Sequence, residues 1–145
     1  MKNILIVAKQ DELVIQENRR IQIIPYNEIF SVVYDSPYIT INLLKGRPVQ
    51  LLMSLSEISQ YLPEYFVLCN RSTIINLMQA RAFDKTTGII CLRTGTTFTV
   101  SFRKRKKVEA IFMSIVTRWR IRLTYKFNTF DIICRFILKL FRSII

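Results

Sequence analysis

Histidine is absent from this 145-residue sequence. Its absence removes the usual general base, the imidazole metal ligand, and every Ser–His or Cys–His nucleophile pair. No convincing carboxylate pair or phosphate-cradling loop takes its place, so no constellation carries catalysis and no cofactor or metal is called for. Glycine and proline are scarce, at three and four residues, while half of the chain is hydrophobic. That balance excludes a disordered chain. Cysteine is scarce and odd in number: Cys69, Cys91 and Cys134 fit neither a disulfide framework nor a zinc spacing, as expected of a protein kept in a reducing cytoplasm. Long apolar runs are missing near the start. The run ILIVA at residues 4–8 is shorter than the roughly 7–15 residues of a signal-peptide core and reads as a strand or a loose arm.

Acidic residues are also few, 10 against 22 Lys and Arg, for a formal net charge of +12. Such an excess argues for an anionic partner, either nucleic acid or an acidic membrane surface, and says nothing about fold. The charge is concentrated. Arg103 to Lys107 form an unbroken basic run, RKRKK, just ahead of Val108, Ile111, Phe112 and Ile115, which recur at helical spacing. A helix start carries partial positive charge and ordinarily favours acidic residues. Placing five cations there is locally unfavourable unless an anion such as phosphate is to be held by side chains and backbone N–H groups together.

Elsewhere the pattern is that of short strands. LVIQENRRIQIIP reads as a hairpin turning at Glu17–Arg20, and EIFSVVYD (28–35) as a buried strand. PYITINLLKGRPVQLLM reads as a second hairpin turning at Lys45-Gly46-Arg47. SLSEISQYL changes to helical period, with Ser54 or Ser56 as N-cap and Pro63 as terminator. YFVLCNRSTIINL (65–77) is strand-like with a bend at Asn70–Ser72, held by side-chain bonds from Ser72 and Asn76. GIICLRTGTTFTV (88–100) turns at Thr94-Gly95, and Ser101 stands where it could cap the following helix. Cys69 reads as a buried structural thiol.

The order of these signals resembles a LytTR-type DNA-binding domain, the effector module of many bacterial response regulators. The resemblance covers roughly residues 11–113 and rests on two pieces: Arg71-Ser72 followed by Ile74-Ile75-Asn76-Leu77, and Ser101-x-Arg103 at the end of the last strand. It implies a mostly β, elongated antiparallel fold with one or two short helices, which docks on duplex DNA through loops rather than an inserted helix. It implies that Arg71 and Arg103 read bases; the loop that supplies a third contact in the family is here Asp35-Ser36-Pro37-Tyr38, which departs from a favourable pattern because Asp35 repels phosphate and Pro37 has no donor N–H, leaving Ser36 to bond a phosphate. Asn70 stands where family members commonly have His, and donates to base or phosphate. The chemistry agrees: arginine bonds guanine O6 and N7 together, while Lys104, Arg105, Lys106 and Lys107 suit phosphates. Paired direct repeats as the DNA site, and a homodimer on them, follow from the same resemblance. The ten residues that precede the domain leave no room for a phospho-acceptor receiver.

Residues 114–145 form a distinct C-terminal extension. Seven basic residues there face Asp131 alone, which is half of the net charge. RWRIRLTYKF (118–127) alternates basic and apolar residues, the pattern of a basic strand face. Residues 130–145 have helical period, with Arg135, Lys139 and Arg142 on one face and phenylalanine and isoleucine on the other. Three readings stay open for this extension: packing on the domain or a second subunit, peripheral contact with an anionic membrane, and a membrane span. They support an alternative function, a charge-driven interaction protein that binds membrane or RNA through 118–145.

Overall fold

Strict in–out alternation builds the first layer. β1 (Ile4–Ala8), β2 (Glu12–Glu17) and β3 (Arg20–Pro25) form an antiparallel sheet in the order β1-β2-β3. In this computed structural model, residues 3–127 are described, with side chains for residues 3–118. The first apolar run is therefore a paired strand, in register Ile6↔Ile15 and Leu13↔Ile24. Those four side chains are buried. The β2–β3 turn passes through Asn18, whose φ of 55° suits a short polar side chain.

The second layer is a five-stranded sheet of order β6-β5-β4-β8-β7, built from β4 (Ile29–Asp35), β5 (Tyr38–Leu43), β6 (Val49–Leu51), β7 (Phe66–Asn70) and β8 (Thr73–Asn76). The stretch expected to be a buried strand is its centre: β4 pairs with both β5 and β8. The short helix α1 (Leu55–Ser59) is capped by Ser54, whose hydroxyl accepts from the Glu57 N–H at 3.2 Å. Ile58 of α1 joins Leu13, Ile24, Val32, Ile41 and Phe66 in one core between the first two layers.

A third antiparallel sheet, β11-β10-β9, contains β9 (Ala80–Phe83), β10 (Ile89–Leu92) and β11 (Thr97–Thr99). Its hairpin turns at Thr94-Gly95 as expected; β9 had no sequence signal because QARAF carries too few apolar residues to show a period. A 3₁₀ turn at Phe102–Lys104 then leads into α2 (Arg105–Phe127). On β7 and β8, Phe66 and Ile74 belong to the shared core, while Val67, Cys69 and Ile75, of opposite parity, are buried too. β7 abuts β11 and the 3₁₀ turn, so this edge of the central sheet is covered on both faces.

α2 corrects one expectation. The alternating stretch 118–127 is helical, not a strand. No glycine or proline interrupts 105–127. Once a helix is nucleated, each added residue closes one more i→i−4 bond, which outweighs a local period-two pattern. The chain forms two compact units, Met1–Phe112 and Met113–Ile145. The amphipathic segment expected at 130–145 lies outside the described residues.

Asn76 is the polar pin of the centre. It is fully buried; its amide donates to Ile29 O at 2.8 Å and Tyr26 O at 3.2 Å and accepts from Met78 N at 2.9 Å. Asn76→Ala removes the partner of the Ile29 carbonyl and of the Met78 N–H, each costing about 1–3 kcal/mol when left unpaired, while Tyr26 O keeps the Ile29 N–H. We expect a loss of about 3 kcal/mol or more, read as a lower urea midpoint with unchanged slope.

Candidate nucleic-acid interface

The β7–β8 connection is a two-residue turn, Arg71-Ser72, and its shape is set by the side chain before it. Asn70 Oδ1 accepts from the Ser72 N–H at 3.0 Å and from the Ser72 hydroxyl at 3.1 Å. This is the local mimicry of a backbone turn that asparagine performs. The sequence points to Ser72 as the residue holding the bend; Asn70 holds it, with Ser72 as donor. The other end of the same amide donates to Thr99 O at 3.2 Å. Asn70 reads from the sequence as a donor toward DNA, but its amide is engaged within the protein on both sides.

One residue earlier, the Cys69 carbonyl accepts from the Ser101 N–H at 2.8 Å. Ser101 O in turn accepts from Lys104 N at 2.9 Å, closing the 3₁₀ turn. Ser101 therefore acts through its backbone; its hydroxyl makes no cap bond, contrary to expectation. These bonds lay the segment Ser101–Arg103 against the Asn70–Ser72 turn. Arg71 and Arg103, far apart in sequence, both emerge exposed from the joined segments. The β4–β5 turn belongs to the same end of the sheet. Val33 pairs with Thr73, and Tyr34 N donates to Ser72 O at 2.8 Å, which leaves exposed Ser36 in the neighbouring turn.

The basic run divides into two kinds of residue. Arg103, Lys106 and Lys107 are exposed, and Lys104 is half-buried. Arg105 was expected to meet phosphate, but its guanidinium turns inward. Its Nη1 and Nη2 donate to Thr86 O at 3.1 Å and Thr87 O at 3.2 Å, and Nε donates to Val100 O at 3.4 Å. Asp84 completes the loop from the other side, accepting from the Thr86 and Thr87 N–H groups, which holds its carboxyl below the usual range. Gly88, at φ +75°, closes the loop where a Cβ would run into the Arg105 guanidinium. Lys85 and Glu109 add an exposed ion pair at 3.0 Å.

Phe102 was not singled out from the sequence, because one phenylalanine beside a strand end reads as core. It is 82% exposed. The Arg105 guanidinium sits 5.3 Å from its ring centroid, a cation–π contact. An apolar ring is thus held outward beside Arg103. Cys69 lies beneath the turn, fully buried, and burial pushes its thiol up to about 11. It is a structural thiol, protonated at neutral pH.

The sequence matches the family model of the LytTr DNA-binding domain over residues 19–113. Among solved structures, it is similar to the LytTr DNA-binding domain of a Bacillus cereus protein described as a putative methyl-accepting/DNA response regulator. The TM-score is 0.59 at 17% identity, covering 71% of this chain and 97% of that one. No curated protein matches the chain.

Two outcomes follow from this geometry. Arg105→Gln should lower stability by about 1–2 kcal/mol through its lost carbonyl bonds, whereas Arg103→Ala should stay within about 0.5 kcal/mol; thermal unfolding separates them. In a Cys91→Ser, Cys134→Ser background, Cys69 should carry about a hundredfold less thiolate than an ordinary thiol. Alkylation at pH 8 should then be slow until denaturant is added. Because the folded thiol holds its proton more tightly, this stabilisation is full below pH 9 and is lost as pH rises toward 11.

Proposed function

This chain belongs to the LytTR DNA-binding domain family, and from that premise we propose that it regulates transcription by reading duplex DNA through Arg71 and Arg103. The observation that carries the proposal is the joining of the CNRS and SFR segments by the Ser101–Cys69 and Asn70–Thr99 bonds. Two exposed arginines on segments joined by hydrogen bonds, each presented from a short turn, suit bidentate contact with guanines. Each such pair is worth about 1–3 kcal/mol of discrimination. Phe102 adds an apolar surface of the kind that contacts a thymine methyl.

Lys104, Lys106 and Lys107 supply phosphate contacts, which position the protein without reading sequence. Ser36 adds a hydroxyl from the adjacent turn. Asn70 and Arg105 shape the surface from within. Paired direct repeats, each taken by one copy, are the DNA site we expect.

Selection of bound duplexes from a random pool, with the full chain at physiological ionic strength, tests this reading. A defined motif should emerge, and Arg71→Ala or Arg103→Ala should each lose preference at separate positions. Lys106→Ala with Lys107→Ala should keep the motif. The slope of log affinity against log salt should fall by about 0.9 for each contact removed. If no motif emerges and affinity simply declines with salt, sequence reading is wrong. The charge-driven alternative then stands, binding anionic membrane or RNA through 118–145. Among the described residues no helix is long and apolar enough to cross a membrane.

A further inference from the structure

Phe102 is 82% exposed, more than any other large apolar side chain among the described residues. Burial of an aromatic ring is ordinarily one of the larger single gains in folding, and the fold forgoes it here. The ring stands at the start of the 3₁₀ turn Phe102–Lys104, next to the Ser101 N–H that bonds Cys69 O. Exposed Arg103 follows it directly, and Lys106 and Lys107 are exposed further on. The Arg105 guanidinium lies 5.3 Å from the ring centroid. That cation does not need the ring, because the carbonyls of Val100, Thr86 and Thr87 already accept from it. The support runs the other way: a guanidinium fixed at three points gives the ring a backing.

Given that Arg103 reads duplex DNA, the reading on which this step rests, we propose that Phe102 determines specificity by packing on the 5-methyl group of a thymine in a neighbouring base pair. Arg105 is the positioning residue that holds the ring for it. The cations around Phe102 bring a phosphate backbone to this edge. Within the major groove, the thymine methyl is the apolar group that base edges present, and phenylalanine is among the side chains that contact it. Three residues make one turn of a 3₁₀ helix, so the Phe102 and Arg103 side chains diverge and meet different base pairs. A ring already backed by Arg105 loses little freedom when DNA arrives.

Arg105 does this without touching DNA. It is anchored to the 86–88 loop, where Gly88 leaves room for a guanidinium that a Cβ would run into. A lysine at 105 would keep the charge but lack the planar fork, so the ring would lose its fixed backing. Loss of a phosphate contact and loss of a support are separable. The first lowers the slope of log affinity against log salt by about 0.9; the second lowers the preference for thymine and leaves the slope alone.

The duplex selected by the full chain is the probe, with each thymine in turn replaced by deoxyuridine, which lacks only the 5-methyl group. Wild-type protein should lose affinity about fourfold at one position, the effect of withdrawing one buried methyl. That position should lie beside the guanine whose preference Arg103→Ala abolishes. Phe102→Ala should bind the thymine and uracil duplexes alike while still preferring that guanine. Arg105→Gln and Arg105→Lys should each bring the thymine-to-uracil ratio toward one with an unchanged circular dichroism spectrum, and Arg105→Gln should leave the salt slope as it is. If wild-type protein keeps its guanine preference but binds thymine and uracil equally at every position, the proposal is overturned and guanine reading stands; a ring wedged between base steps would give that result. A uracil effect that persists in Phe102→Ala would overturn the role of Phe102. A thymine preference that survives both Arg105 substitutions, or a salt slope lowered by Arg105→Gln, would overturn that of Arg105. If no motif is selected at all, reading by Arg103 fails and this step falls with it.

Discussion

Two hydrogen bonds hold the functional edge together: Ser101 N to Cys69 O at 2.8 Å, and Asn70 Nδ2 to Thr99 O at 3.2 Å. Arg71 belongs to a turn of the central sheet and Arg103 to the end of the third sheet, and these bonds, together with the packing of β7 against β11 and the 3₁₀ turn, join the two segments. The first involves a group that burial has already made expensive to leave unpaired; the second lies at the surface, where Thr99 is exposed. Cys69 is fully buried, and its carbonyl needs a donor from outside its own hairpin. The same requirement that stabilises the fold therefore aligns the two arginines. Loops are usually mobile, and here a bond from outside the hairpin ties the turn that carries Arg71 to the segment that carries Arg103.

The basic run shows how one stretch of like charge can do two jobs. Its spacing around the 3₁₀ turn and the first turn of α2 sends Arg105 inward while Arg103, Lys106 and Lys107 stay in solvent. A lysine at position 105 would lack the planar fork that reaches Thr86 and Thr87 carbonyls together. The inward guanidinium also supports the Phe102 ring and fills the space above Gly88. The cationic helix start is therefore less unfavourable than its composition suggests, because one of its five charges is satisfied by carbonyl oxygens.

Polarity is distributed around the rest of the molecule in a complementary way. The edge that carries Arg71 and Arg103 is cationic and polar. The outer face of the first sheet is uncharged along its two central rows and apolar apart from Gln16.

Much of this protein follows from its sequence. Apolar runs, alternation and turn residues pointed to all but β9 of the strands among the described residues, with residues 4–8 open between strand and loose arm; a serine cap at 54 or 56 pointed to α1, and the order of Arg71-Ser72, Asn76 and Ser101-x-Arg103 pointed to the family. These are local signals, carried by residues within one or two turns of each other. What the sequence misjudged depends on contacts across the chain or on cooperativity along it. Asn70 reads as a free donor until Thr99 is known to lie beside it, and Arg105 as one cation among five until three carbonyls are found within its reach. The 118–127 stretch reads as a strand until the helix that enters it is seen to continue. Which side chains face solvent and which are consumed by the fold is a property of packing between distant segments, and only the tertiary structure could decide it.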